Sequence, residues 1–380
     1  MSEYQRIIEF IKTLYKSEKF IPLHAPTFGG NEKKYLNECI DSTFVSSVGK
    51  FVDRFEDEVA SFTGARRAVA VVNGTSALHA ALTLVGVKPG DEVITQPLTF
   101  IATCNAISYC GASPVFVDVD IDTMGMSPVS LKNFLETTCR KKNGHVINKL
   151  NGKKITACVP MHTFGHPVRI EQIKALCDEW GILLIEDAAE SLGSYVGNKH
   201  TGLFGKCGIL SFNGNKTITT GGGGMIITDD DEFGQRAKHI TTTAKISHKW
   251  EFKHDMIGFN YRMPNINAAL GCAQIEELPD IIKGKREIAE KYKDFFQTEG
   301  IEFISEREGT TANYWLNAIK FYSIEDRDAF LEYSNSNSVM TRPVWTLMNK
   351  LEPFKNSYEQ KYINSELLEN RIVNIPSSCV

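Results

Sequence analysis

From residue 67 to residue 186, short apolar runs alternate with helix-like stretches, and this alternation constrains the fold more than any other feature. Ala68-Val69-Ala70-Val71-Val72 is continuously apolar, as a strand buried on both faces requires. A helix-like stretch covers 77–86. Strand at 92–95, helix at 99–110 and strand at 114–118 follow, and the order repeats at 155–160, 169–180 and 182–186. Strands and helices alternating at this spacing predict a mostly parallel sheet with helices on both faces, an α/β architecture.

The flanks differ. Tyr4, Ile7, Ile8, Ile11, Leu14 and Tyr15 recur at helical spacing and predict a surface helix, with two more helices before residue 65. Residues 141–154 are polar and basic with Asn-Gly breaks, which predicts a surface loop or hairpin. Beyond Asp229 the alternation loosens. Helical periodicity predicts two helices, at 265–278 and 279–300, and the last stretch reads as a smaller α+β unit with strands near 315–321 and 338–342. The expected division is 1–50 as N-terminal helices and arm, 51–265 as the large domain and 266–380 as the small one.

Several classes of function are excluded. A net charge of −4 argues against a nucleic-acid partner. No apolar run reaches the ~20 residues of a membrane span. The first residues lack a signal-peptide pattern, and nine scattered cysteines without C-x-x-C read as reduced thiols, so a cytoplasmic protein is expected. His162 and His166 are four apart, but the intervening Thr-Phe-Gly followed by Pro167 does not read as helix, so no metal is expected.

Ligands of open α/β sheets bind beyond the carboxyl ends of the strands. Four such ends carry suggestive residues. Asn73-Gly74-Thr75-Ser76 opens a helix, where free N–H groups favour a phosphate; a plain hydroxyl cap fits equally well. Phe100 follows the strand at 92–95 and suits either ring stacking or the core. Glu186-Asp187-Ala188-Ala189-Glu190 ends an apolar strand in acids, with helix capping by Asp187 as the plain alternative. Lys216 stands alone in the polar stretch 211–224, which closes on four glycines. By itself it reads as a solvated loop lysine. Beside a phosphate cradle, an aromatic and a carboxylate, its amine completes what pyridoxal phosphate requires.

Motifs in order carry a resemblance along almost the whole chain. They are Asn-Gly-Thr-Ser-Ala-Leu at 73–78, Thr-Phe-Ile-Ala-Thr at 99–103, Val-Phe-Val-Asp at 115–118, His-Thr-Phe-Gly at 162–165, Glu-Asp-Ala-Ala at 186–189, Ser-Phe-Asn-Gly-Asn-Lys at 211–216 and Gly-Phe-Asn-Tyr-Arg-Met at 258–263. The chain resembles the DegT/DnrJ/EryC1/StrS sugar aminotransferases, of the fold-type I group that uses pyridoxal 5'-phosphate. The resemblance implies a large domain built on a mostly parallel seven-stranded sheet and a small C-terminal α+β domain. It implies Lys216 as the Schiff-base lysine and proton carrier, Asp187 as partner of the pyridinium nitrogen, and Phe100 as the stacking ring. Thr75, Ser76 and Ser211 are implied around the phosphate. Asn260 is implied to reach the phosphate of the neighbouring subunit, which makes the expected assembly a homodimer with shared sites. Glu190 stands where relatives often carry glutamine against the cofactor's 3-hydroxyl, and Gly222 where many have an acid. The four glycines are expected to bring backbone close to the cofactor or the partner subunit.

The same resemblance implies the substrates. Residues 340–348 look like the sugar side, with Arg342 for a diphosphate and Trp345 for a sugar or base. This stretch is most similar to the branch making 4-amino sugars for legionaminic acid. The expectation is amine transfer from L-glutamate to a UDP-linked 4-keto-6-deoxy-N-acetylhexosamine. The alternative is a GDP-4-keto-6-deoxymannose aminotransferase of the perosamine type. A non-catalytic cofactor-binding regulator is the remaining reading.

Overall fold

The computed structural model describes residues 2–355 and 361–379. The alternating segment builds one sheet. Its strands are β1 (Arg67–Val71), β2 (Glu92–Thr95), β3 (Ser113–Phe116), β4 (Cys139–Lys142), β5 (His145–Asn148), β6 (Lys154–Val159) and β7 (Leu183–Asp187). A short pair outside it, β8 (Tyr195–Val196) and β9 (Lys199–His200), precedes the last two members, β10 (Cys207–Ser211) and β11 (Gly224–Thr228). The main path runs β1-β11-β10-β7-β6-β2-β3, and the β4–β5 hairpin hangs on β6, giving nine strands where seven are expected. The two extra strands come from the polar stretch that reads as loop or hairpin.

Only β11 runs against its neighbours on this path. The turn before it closes with the Phe212 N–H on the Gly223 carbonyl at 2.9 Å, and the chain returns as a hairpin. β1 therefore points the same way as β10, although the strand between them is reversed. Val71, Gly224 and Ser211 share one row of the sheet. The carboxyl ends of β1 and β10 thus lie on one edge, with that of β7 beside them.

Helices cover both faces, as strands apolar on both sides require. The helices up to residue 299 are α1 (Glu3–Tyr15), which packs on the second sheet described below, α2 (Glu32–Ser42), α3 (Lys50–Thr63), α4 (Gly74–Leu84), α5 (Ile101–Tyr109), α6 (Pro128–Thr138), α7 (Ile170–Trp180), α8 (Asp231–Thr241) and α9 (Asn265–Glu299). The two-residue period of β1 sorts its side chains. Val69 and Val71 pack under α4 and α8 with Ala77, Leu78, Phe233 and Ala237. Ala68 and Ala70 face the other way, against Phe55 and Val59 of α3 and Ala269 and Cys272 of α9.

The two helices expected at 265–278 and 279–300 are one helix of 35 residues, α9, with Pro279 inside it. Proline removes one helix hydrogen bond and costs ~3 kcal/mol. Packing outweighs that cost. The first half of α9 is buried on α3 and the sheet, while Ile288, Tyr292 and Phe296 of the second half share a core with Ile7, Ile8 and Ile11 of α1. That core also holds Ile319 and Val373 of a second, antiparallel sheet, ordered Glu302–Phe303, Asn317–Lys320, Ile372–Ile375, Arg342–Pro343. Among the described residues, no helix is long and apolar enough to cross a membrane.

Candidate active site

The carboxyl ends of β1, β7 and β10 and the segment after β2 open into one cavity of about 340 Å³. Thr75, Phe100, Asp187, Glu190, Ser211 and Lys216 all line it. Trp315 and Trp345 of the C-terminal unit close its other side.

The cradle at the start of α4 is built by Asn73, not by a hydroxyl. Its side-chain oxygen caps the helix, accepting from the Ser76 N–H at 2.8 Å. Asn73 thereby takes the Ser76 amide and leaves the Gly74 and Thr75 N–H groups at the cavity with the positive end of the helix dipole. Ser76 itself does not line the cavity.

Asp187 ends β7 and is buried. It accepts from the Thr103 hydroxyl at 2.6 Å and the Ala189 N–H at 3.2 Å. Burial raises its carboxyl above the usual range, against these two donors and the positive charge of Lys216. A buried carboxylate with two donors retains acceptor capacity toward a cationic ligand atom. Thr103 stands in the motif at 99–103, yet its contact with Asp187 depends on how α5 docks on β7 and has no local signal.

Lys216 follows β10 and points back across the cavity. Its Nζ lies 3.1 Å from Glu190 Oε1 and 3.9 Å from the centroid of the Trp315 ring. Glu190 Oε2 accepts from the Phe164 N–H at 2.9 Å. Burial pushes the Glu190 carboxyl up to about 7, opposed by Lys216 and by the Phe164 N–H. An ionised carboxylate cannot donate a hydrogen bond as the glutamine of relatives does, but a protonated Glu190 can. Phe100 is half exposed at the mouth, with the Trp345 ring 6.2 Å away.

Besides Ser76, one residue expected at the chain's own cavity lies elsewhere. Arg342 is exposed on its edge strand and donates to Asn335 Oδ1 at 3.1 Å and to the Thr341 carbonyl at 2.8 Å. It does not line the cavity, so within the chain it meets no diphosphate there. Arginine in a strand reads the same whichever way it faces. Asn260 is exposed, accepts from Arg262 Nε at 2.9 Å and also lies outside the cavity.

Of the close approach expected of the glycine run, the part toward the cofactor is not seen: none of the four lines the cavity. A Cβ on Gly224 would meet the Asn73 carbonyl carbon at 2.4 Å and Gly74 N at 2.5 Å, so this glycine lets the α4 cradle sit against the sheet. A Cβ on Gly223 would meet Thr220 Oγ1 at 2.2 Å, an intramolecular packing contact. His162 is bound to Glu186 Oε2 at 3.1 Å, a carboxylate that also accepts three loop amides.

An amine, a buried carboxylate, a helix start with free amides and an aromatic at one cavity fit pyridoxal phosphate. The model of the DegT/DnrJ/EryC1/StrS aminotransferase family matches residues 26–379. The chain belongs to that family. It is 39% identical over 359 residues to the GDP-perosamine synthase of Escherichia coli O157:H7, covering 94% of this chain and 93% of that one. It is 37% identical over 334 residues to the putative pyridoxal phosphate-dependent aminotransferase EpsN of Bacillus subtilis, covering 86% and 82%. The aminotransferase TlmJ of Streptoalloteichus hindustanus superposes with a TM-score of 0.85 at 26% identity, covering 94% and 93%. The protein is a pyridoxal-phosphate-dependent enzyme of the sugar aminotransferase family, on the fold those enzymes share.

Proposed function

We propose that the chain transfers the amine of L-glutamate to the 4-keto group of GDP-4-keto-6-deoxymannose. The convergence of Lys216 and Asp187 on one cavity carries the aminotransferase chemistry. Similarity to a GDP-perosamine synthase along 94% of the chain favours the GDP-linked sugar over the UDP-linked N-acetylhexosamine. Of the two residues expected on the sugar side, only Trp345 reaches the cavity, and this does not separate the two nucleotides, since both carry a diphosphate.

The lining of the cavity supports these roles. Lys216 would attach the cofactor, and its amine would carry the proton at the substrate carbon. Asp187 would pair with the ring nitrogen, and the bound cofactor would supply an electron sink. The Gly74 and Thr75 amides with Ser211 would hold the phosphate, and Phe100 would lie against the ring. Glu190 would bond the ring hydroxyl.

Asn260 lies outside its own chain's cavity, which is what reaching a neighbour's phosphate requires. Trp250 (74% exposed), Phe252 (82%) and Ile257 (89%) leave apolar surface on the segment that leads to it. Both support a homodimer that shares its sites.

The test is turnover of GDP- and UDP-linked 4-keto-6-deoxy sugars with glutamate, read by product mass. Faster amination of the GDP sugar by at least about tenfold in kcat/KM supports the proposal. Faster amination of the UDP sugar refutes its nucleotide assignment.

A further inference from the structure

We propose that Trp315 is the docking surface for the Lys216 amine whenever that amine is detached from the cofactor, and that Asn313 and Lys285 hold the turn that places it there. The inference rests on Lys216 being the attachment lysine. Trp315 is a positioning residue: it acts through the amine it holds.

Trp315 is itself 3% exposed and fixed at three points. Its ring N–H donates to the Asn215 carbonyl at 2.6 Å. Its backbone N–H donates to Asn313 Oδ1 at 2.8 Å, and its carbonyl accepts from Lys285 Nζ at 3.1 Å. The preceding residue, Tyr314, has φ +48°, in the left-handed region that a bulky aromatic rarely occupies. Such a conformation persists only where surrounding contacts over-determine it, and these cluster at working sites.

The contacts are specific. Asn313 is fully buried, and its side-chain NH₂ donates to the Glu190 and Leu192 carbonyls at 2.9 Å each and reaches Thr217 Oγ1 at 3.2 Å. One carboxamide thus fixes Trp315, the backbone of Glu190 and the neighbour of Lys216 together. Gly165 makes room for it, since a Cβ there would fall 1.9 Å from Asn313 Oδ1. Lys285 is fully buried on α9, and its Nζ also donates to the carbonyls of Tyr314 at 3.4 Å and Ser377 at 2.6 Å. All three partners are carbonyls of the turn or of the chain end beside it. Among the described residues no carboxylate pairs with this buried lysine, which is costly, and its bonds tie the turn to the long helix.

The result is an aromatic face aimed at a mobile amine. Lys216 has a four-carbon stem and must leave and regain the cofactor in each cycle of transamination. Between the Trp315 face at 3.9 Å and Glu190 Oε1 at 3.1 Å its amine has a defined resting place. The reacting groups stay within reach of one another, which is the advantage of proximity.

The test uses the full-length enzyme loaded with pyridoxamine phosphate, in which Lys216 is free. Trace acylation with acetic anhydride and peptide mass mapping report how fast Lys216 reacts. Trp315→Leu is expected to speed acylation of Lys216 by about three- to tenfold, with Trp315→Phe between it and the wild type. Lys285→Met is expected to shift it the same way, and Lys285→Arg to restore it. Wild-type chain grown with ring-fluorinated tryptophan keeps the shape and weakens the face, so it covers the case of a substitution that fails to fold; faster acylation is expected there too. Unchanged Lys216 acylation in the fluorinated chain and in the folded variants overturns the inference. A separate arm reduces the pyridoxal-phosphate-loaded enzyme with borohydride. Cofactor fixed on a lysine other than Lys216 overturns the attachment assignment, and the inference falls with it.

Discussion

Replacing Glu190 with Gln should change how stability depends on pH, and the size follows from the site. Glu190 is 2% exposed in the folded chain. Burial raises its carboxyl from 4.5 to about 7, even with Lys216 and the Phe164 N–H opposing. Between these two values the folded chain holds a proton that the unfolded chain has released. Raising pH through that window therefore favours unfolding. A displacement of this size is worth about 3 kcal/mol, fully present below pH ~4.5 and lost as pH rises through ~7. Glutamine is close in shape, keeps an acceptor for Phe164 and does not titrate. Urea unfolding of the cofactor-free protein, followed by fluorescence across this range, gives the difference between the two proteins. The wild type is expected to lose about 3 kcal/mol relative to Glu190→Gln as pH rises. Parallel curves would refute the reasoning, because they would mean that Glu190 is already ionised in the folded state throughout.

Asp187→Asn keeps the size of the side chain but not its charge. Turnover with glutamate and the preferred ketosugar should fall on the order of 100-fold, while cofactor affinity changes by less than about tenfold; turnover within about threefold of wild type would contradict the assigned role. Gly224→Ala should displace the α4 cradle, since its Cβ would lie 2.4 Å from the Asn73 carbonyl carbon. Cofactor retention on dialysis should weaken about tenfold and stability should fall by about 1–3 kcal/mol. Gly222→Ala, with nothing within 4 Å of its Cβ, is the control and should change neither.

The strand ends that form the site are legible in the sequence because both signals are local. A buried parallel strand is an apolar run, and a polar cluster just after it marks the catalytic edge. The direction of β11 is not legible, since an apolar run reads the same either way. The unity of α9 is hidden by Pro279, whose local cost is overcome by packing against residues far away in the chain. Trp315, Asn313 and Thr103 reach the site only when the C-terminal unit and α5 close over it. Trp315 reads from the sequence as the start of a strand, and nothing local ties it to Lys216. Arg342 fails for the opposite reason: its chemistry suits a diphosphate, but its strand presents it to solvent. Gly224 marks close backbone approach, as its residue type requires; what it approaches is the β1–α4 turn and not the cofactor.

The cavity is proposed to move nitrogen from glutamate to a ketosugar through Lys216. Glutamate carrying heavy nitrogen, incubated with the nucleotide ketosugar and the enzyme, tests it directly by the mass of the sugar product. The wild type should place heavy nitrogen on the sugar, and Lys216→Ala should lower the rate by at least about 1,000-fold while still folding. Heavy nitrogen reaching the sugar at the wild-type rate in the Lys216→Ala enzyme would contradict the account.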